Sequence, residues 1–247
     1  MTGPVGSIML WRRMAFFGAA LAEGSVVGVV IAVVLFKSTL LGATVACIAL
    51  ALFIDWLRLN RHLTDDTLIG VVGHAALALA FLIASAVPRI RLAFLDYLFG
   101  DILAATPQLI FWGGAIAVGV LIIIFGLWRS LVLSSAEPAI AAAEGVRINA
   151  LYTLYSLLLA CVIAVGLQLV GALLIVALLI MPAAAARPLA GSPIAMAVIA
   201  FFISLMSSTG GIWLSQKMDF PAGPTIALIA AGAFAASLAV KRLRLVR

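Results

Sequence analysis

Long apolar runs recur along the chain near residues 14–36, 39–57, 67–87, 107–128, 149–168, 171–186, 192–216 and 222–240. Short breaks separate them: Lys37, the patch from Arg58 to His62, Pro88-Arg89, Thr106-Pro107, Arg187-Pro188 and Pro221. A helix of about 20 apolar residues crosses the hydrocarbon core of a bilayer. A spanning sheet would have to close into a barrel with alternating apolar and polar positions, and these runs do not alternate. The pattern therefore predicts an all-α, polytopic transmembrane helical bundle of about eight spans, a single membrane domain over residues 1–247. Residues 3–10 read as the end of a helix arriving from the opposite side, so a truncated leading helix is expected.

The segment Ile90–Ala105 is apolar but carries Asp96 and Asp101. Carboxylates at full membrane depth are costly, which points to a re-entrant or interfacial helix there. The run Leu169–Arg187, LVGALLIVALLIMPAAAAR, ends in Pro182 and four alanines, a composition suited to packing helices through small residues.

Composition agrees with the pattern. Of 247 residues, 66% are hydrophobic and 10% charged, too little charge to cover a soluble domain. The net charge of +6 does not point to nucleic acid, because its distribution has a simpler cause. Eight alternating spans put Arg12, Arg13, Arg58, Arg61, Arg129, Arg147, Arg187, Lys241, Arg242, Arg244 and Arg247 on one side. That is eleven of the fifteen basic residues, leaving Lys37, Arg89, Arg91 and Lys217 on the other. Basic residues concentrate on the cytoplasmic side, so the C-terminus is placed inside. Cys47 and Cys161 stand alone in apolar runs and read as small packing residues.

One hydrophilic connection is long, from Trp128 to Arg147, and it falls on the inner side. Ser-Ser-Ala-Glu-Pro followed by an Ala-rich stretch and Gly145 predicts a short helix over Glu137–Gly145. With little of its own to cover, such a helix is suited to docking on a partner; the alternative is a plain connecting loop.

Ionisable residues at membrane depth are rare and costly, so each one is a candidate for function. Glu23 lies in GAALAEGSVVG and His74 in TLIGVVGHAALAL. Carboxylate and imidazole are ligands that zinc and manganese accept. The structural alternatives are a hydrogen bond to a neighbouring helix for His74, and an ion pair or a packed, protonated carboxyl for Glu23. Gly24 and Gly28 form a GxxxG pair that permits close helix packing. Asp65 and Asp66 suit a helix N-terminus, and Asp219 suits a turn. No P-loop motif occurs, so ATP is not bound here through one, and neither HExxH nor GxSxG supports an intramembrane enzyme.

Several of these segments resemble the membrane permease of bacterial ABC importers for zinc, manganese or iron, and the zinc type most. They are GPVGSIMLWRRMAFFGAALAEGSVVGV, DDTLIGVVGHAALAL, YLFGDILAAT, LVGALLIVALLIMPAAAAR and DFPAGPTIAL, which together reach from Gly3 toward Lys241. The resemblance implies a multi-pass protein of the bacterial inner membrane that is not itself an enzyme. It implies a second copy of the chain, separate cytoplasmic ATP-binding subunits, and a periplasmic or extracellular metal-binding protein. It implies no bound cofactor, with Zn2+ as the transported substrate and manganese or iron as alternatives. Glu23 and His74 would line the metal pathway. Glu137, Pro138, Ala142, Glu144 and Gly145 would form the coupling helix that engages the ATPase. Two departures stand out. Ala19 occupies a position where the family usually has aspartate, and Glu23 one where it usually has histidine.

Overall fold

The structure is a computed structural model that describes residues 1–35, 39–59, 65–86, 100 and 106–245. Lys37, Arg61, His62, Arg89, Arg91, Asp96, Asp101 and Arg247 lie outside the described residues, as does the expected interfacial helix over Ile90–Ala105 apart from Gly100. Among the described residues every regular element is an α-helix: α1 (Thr2–Trp11), α2 (Ala15–Leu35), α3 (Thr39–Leu59), α4 (Asp65–Ala86), α5 (Pro107–Gly126), α6 (Trp128–Ala136), α7 (Pro138–Ala143), α8 (Ile148–Val170), α9 (Ala172–Ala186), α10 (Pro193–Met218) and α11 (Ala222–Leu245). Helices α3, α4, α5, α8, α10 and α11 are long and apolar enough to cross a membrane. The stretch Ala15–Ile31 of α2 and helix α9 are apolar but shorter. The eight apolar runs thus become eight helices with ends within a few residues of those expected. The chain is a helical membrane bundle.

Helix α8 is the hub. About 61% of it is buried, against 33% or less in the other five long apolar helices. It packs on α3, α2, α5 and α9. Its inward residues Tyr155, Leu159 and Ile163 join Phe17 and Leu21 of α2, Ile54 of α3 and Ile124 of α5 in one apolar core. A single residue, Gly171, turns the chain from α8 into α9 with φ 83°, a left-handed conformation that side chains disfavour. Large apolar side chains on the outer faces, among them Phe111, Trp112 and Ile122 of α5 and Phe202 and Met206 of α10, are exposed. In water such a surface would aggregate; in a bilayer it is the face hydrocarbon covers.

Helix α1 is short and nearly wholly buried against α9 and α10. Gly3 and Gly6 make this possible. A Cβ on Gly3 would enter the backbone of Ala200–Phe201, and one on Gly6 would strike the Leu179 carbonyl. The Tyr155 hydroxyl donates to the Val5 carbonyl at 2.8 Å, and Thr2 shares a hydrogen bond with Ser204 at 2.8 Å. Buried hydroxyls in an apolar core need such partners. The small residues of the run ending at Arg187 pack as their composition suggested: Ala183 and Ala186 of α9 meet Met196 and Ala200 of α10.

Gly24 and Gly28 do bring α2 against its neighbours, Leu50 and Ala76 at the first and Gly42 and Ala46 at the second. We expect Gly28→Leu to lower the folded yield and the melting temperature in detergent, because overpacking costs about 1–3 kcal/mol; an unchanged melting temperature would show that α2 and α3 can part freely. Asp219 is the turn residue after α10, at φ 52°. Asp65 and Asp66 are the first two residues of α4 itself rather than positions before it. At that end of the bundle Arg12 and Arg58 both lie over the Tyr152 ring, Arg129 lies in the first turn of α6, and Arg147 follows α7. Lys217 sits over Trp213 at the opposite end of α10, 4.5 Å from the ring centroid, as cation and indole do at an interface. With single cysteines introduced at the exposed positions 147 and 217, an impermeant thiol reagent should label 217 in intact cells and 147 only after permeabilisation. Labelling of 147 in intact cells would reverse the orientation.

Candidate functional site

Two of the expected site residues meet. Gly73 of α4 lies against Ala20 of α2, where a Cβ would come within 2.8 Å of the alanine methyl. Glu23 is three residues along α2 from Ala20, and His74 follows Gly73. The close approach therefore sets the two side chains together, with His74 Nδ1 3.3 Å from Glu23 Oε2. Glu23 is 28% exposed and His74 80% exposed, so the carboxylate is sheltered between helices and the imidazole stands at the surface. Gly73 is thus the residue that positions the pair, and sequence reading passed over it.

The chemistry follows from the geometry. When Nδ1 carries the proton it donates to Glu23, and Nε2 keeps its lone pair directed away from the carboxylate. Imidazoles that bind metals are commonly oriented by a carboxylate on the other ring nitrogen, which also raises their basicity. The pair supplies one or two donors, fewer than the four of a closed zinc site. Ala19, one turn before Glu23 on α2, adds only a methyl. Among the described residues no group of three or more His, Cys, Asp and Glu is placed to hold a metal ion. The arrangement suits brief ligation.

The connection from Trp128 to Arg147 is more ordered than a loop. Trp128–Ala136 is helical as α6, for which the sequence carried no separate expectation, and α7 occupies Pro138–Ala143 within the expected helix. Pro138 stands at the first position of α7, where its missing N–H costs nothing. Glu137 is the residue between the two helices; its side chain makes no cap hydrogen bond. Arg129 of α6 donates through Nη2 to both carboxylate oxygens of Glu144, each at 3.1 Å, fastening the end of α7 back onto α6. Gly145 closes the segment at φ 81°. Ala141 is buried, whereas Glu137, Pro138, Ala142, Glu144 and Gly145 are exposed and Ile140 is 51% exposed. A small anchored helix thus presents an open face.

Sequence reading also missed a polar cluster where α1, α3, α6 and α8 meet. It contains Arg12, Asp55, Ser134, Tyr152, Tyr155 and Ser156. The available signal was Asp55, a lone carboxylate within the apolar run of α3.

A bundle of membrane-crossing helices joined by short ordered helices defines a multi-pass helical membrane protein. The chain belongs to the ABC 3 transport family, whose model matches residues 1–241. It is a multi-pass protein of the bacterial inner membrane. It is 35% identical to the high-affinity zinc uptake system membrane protein ZnuB of Haemophilus influenzae, over 99% of this chain and 94% of that protein. It is 32% identical to the manganese transport system membrane protein MntC of Halalkalibacterium halodurans, over 94% of this chain and 80% of that one. Among solved structures, PsaBC from Streptococcus pneumoniae in complex with Fab superposes with a TM-score of 0.84 at 29% identity, covering 96% of this chain and 85% of that chain.

Proposed function

We propose that the chain is the membrane permease of an ATP-driven importer that carries Zn2+ from the outer side to the cytoplasm. The observation that carries the metal is the contact between His74 and Glu23 on helices 51 residues apart in sequence, in a chain similar from end to end to a zinc uptake permease. An imidazole backed by a carboxylate binds a borderline cation and, without a full ligand set, lets it go, as a conducting site must. Glu23 and His74 line the path of the transported ion. The likeness to MntC supports manganese as the second substrate, since the same two donors accept it.

ATP is hydrolysed by separate cytoplasmic subunits, and α7 with its flanks is the coupling helix. Its exposed residues Glu137, Pro138, Ala142, Glu144 and Gly145 present the face that a partner's cleft would receive. Movement of that helix tilts the bundle between outward and inward openings. A second copy of the chain completes the path, which accounts for a histidine left 80% exposed at membrane depth. A metal-binding protein delivers the ion from the outer side.

The test uses cells that lack their own zinc permease. Expressed with its ATPase and binding protein, the chain should restore growth under zinc chelation and uptake of radioactive zinc. Restored manganese uptake without zinc uptake would assign the second reading, and uptake of neither metal would overturn both.

A further inference from the structure

The polar cluster at the inner end holds two complementary groups left unmet. Arg12 follows α1 and sits among three elements. Its Nη2 donates to Ser134 Oγ of α6 at 2.8 Å, and its guanidinium lies 5.5 Å from the Tyr152 ring and 5.4 Å from the Tyr155 ring, both on α8. Its Nε and Nη1 are buried without a hydrogen-bond partner. Asp55 of α3 is buried; Oδ2 accepts from Ser156 of α8 at 2.6 Å, Thr153 of the same helix also lies against the carboxylate, and Oδ1 is left without a hydrogen bond. Arg58, one turn along α3 from Asp55, also lies over the Tyr152 ring, its Cζ 3.3 Å from the centroid. Arg12 and Asp55 are near enough for each charge to act on the other, yet they form no ion pair. Burial draws the Arg12 guanidinium below its ordinary value, so its charge is held there at a cost.

Unmet buried N–H groups and carboxylate oxygens are expensive, and a charged pair held apart costs more than one in contact. A protein that keeps both in one cluster retains a use for them. Arg12 is the only one of the two fastened to α6, and α6 carries α7 through the Arg129–Glu144 contact. Displacement of α6 and α7 therefore acts directly on Arg12. The Tyr155 hydroxyl meanwhile ties α8 to α1, so the α1 end and α8 resist being drawn along.

The geometry points to a state-dependent contact: Arg12 is held by Ser134 in the conformation described, and we propose that it swings to pair with Asp55 in the alternate conformation of the transport cycle. Arg12 is then a positioning residue that hands the motion of α6 and α7 to α3, the helix on which α2, the carrier of Glu23, packs. It touches no metal. This rests on the permease reading, and specifically on drive applied at α7.

The experiment uses the full complex with its ATPase and binding protein, in a background where Cys47 and Cys161 are replaced by alanine. Arg12→Cys with Asp55→Cys is cross-linked by a short bifunctional thiol reagent in the resting state and again when trapped with a non-hydrolysable ATP analogue. In parallel, zinc moved per ATP hydrolysed is measured for Arg12→Gln, Asp55→Asn and the exchange Arg12→Asp with Asp55→Arg. We expect cross-linking to rise several-fold on trapping. Each single variant should retain ATP hydrolysis but lose roughly tenfold in zinc moved per ATP, with part of the loss recovered in the exchange. A purely structural role would lower yield and leave that ratio unmoved. Equal cross-linking in both states, or an unchanged ratio in Asp55→Asn, overturns the inference. If the cysteine pair does not fold, the ratio alone decides. Failure of the unmodified complex to move zinc is a different result, which sinks the permease reading instead.

Discussion

Glu23→Leu and His74→Leu should each lower zinc uptake by roughly tenfold or more, the loss expected when a ligand or the group orienting it is removed. Folded yield should hold. Leucine in place of a partly buried carboxylate at membrane depth removes a desolvation penalty, so stability stays level or rises. Falling uptake at constant yield is therefore the signature of a path residue. A packing residue gives the opposite: yield falls, and uptake per folded molecule is unchanged. Glu23→His should keep much of the uptake, since imidazole still offers a donor beside His74. Gly73→Leu should reproduce the loss with both ligands still present, because a side chain there meets Ala20 and the Glu23 carboxylate, pushes α4 off α2 and parts the 3.3 Å contact. Normal uptake in both leucine variants would place the path elsewhere.

The second large effect belongs to the coupling segment. Gly145→Val places a β-branched residue at φ 81°, a left-handed conformation costing about 1–2 kcal/mol, with open space around it. The bundle should fold while the end of α7 loses its geometry, and zinc uptake should fall roughly tenfold with ATP hydrolysis continuing. Glu144→Lys breaks the bidentate contact with Arg129 and should uncouple in the same way. Adding Arg129→Glu rebuilds the pair in reverse. Recovery in that double variant would show that Glu144 serves to hold α7 in place; no recovery would show that its charge meets the ATPase. Full transport in Gly145→Val and Glu144→Lys alike would remove α7 from the coupling account.

The bundle was legible in the sequence because long apolar runs leave few alternatives. The run expected over 149–168 is the helix Ile148–Val170, whereas the turn at Gly171 lay inside the apolar run Leu169–Arg187 and did not show. Helix α6 did not show: Trp128–Ala136 mixes Arg129 and serines with leucines, and the helix-start signal at Ser-Ser-Ala-Glu-Pro drew the expected helix to Glu137–Gly145 alone. What no pattern along the chain could give was which helices touch. Glu23 and His74 stood out one by one as costly groups, but their contact depends on Gly73 meeting Ala20 across two helices. Arg12, Ser134, Asp55 and Ser156 come together across gaps of 122 and 101 residues. A periodicity seen within one helix carries no information about such pairings. Arg12 was counted as a mark of the cytoplasmic side, and that reading hid its burial.

The central claim is that this chain forms the zinc path of an ATP-driven importer. Its most direct test is metal accumulation by the purified complex in sealed vesicles, with ATPase and binding protein supplied, measured together with ATP hydrolysis for zinc, manganese, iron, calcium and magnesium. The account predicts that zinc accumulates and stimulates hydrolysis, that manganese follows more weakly, and that calcium and magnesium do neither. Hydrolysis that proceeds while no transition-metal ion enters the vesicles would contradict it.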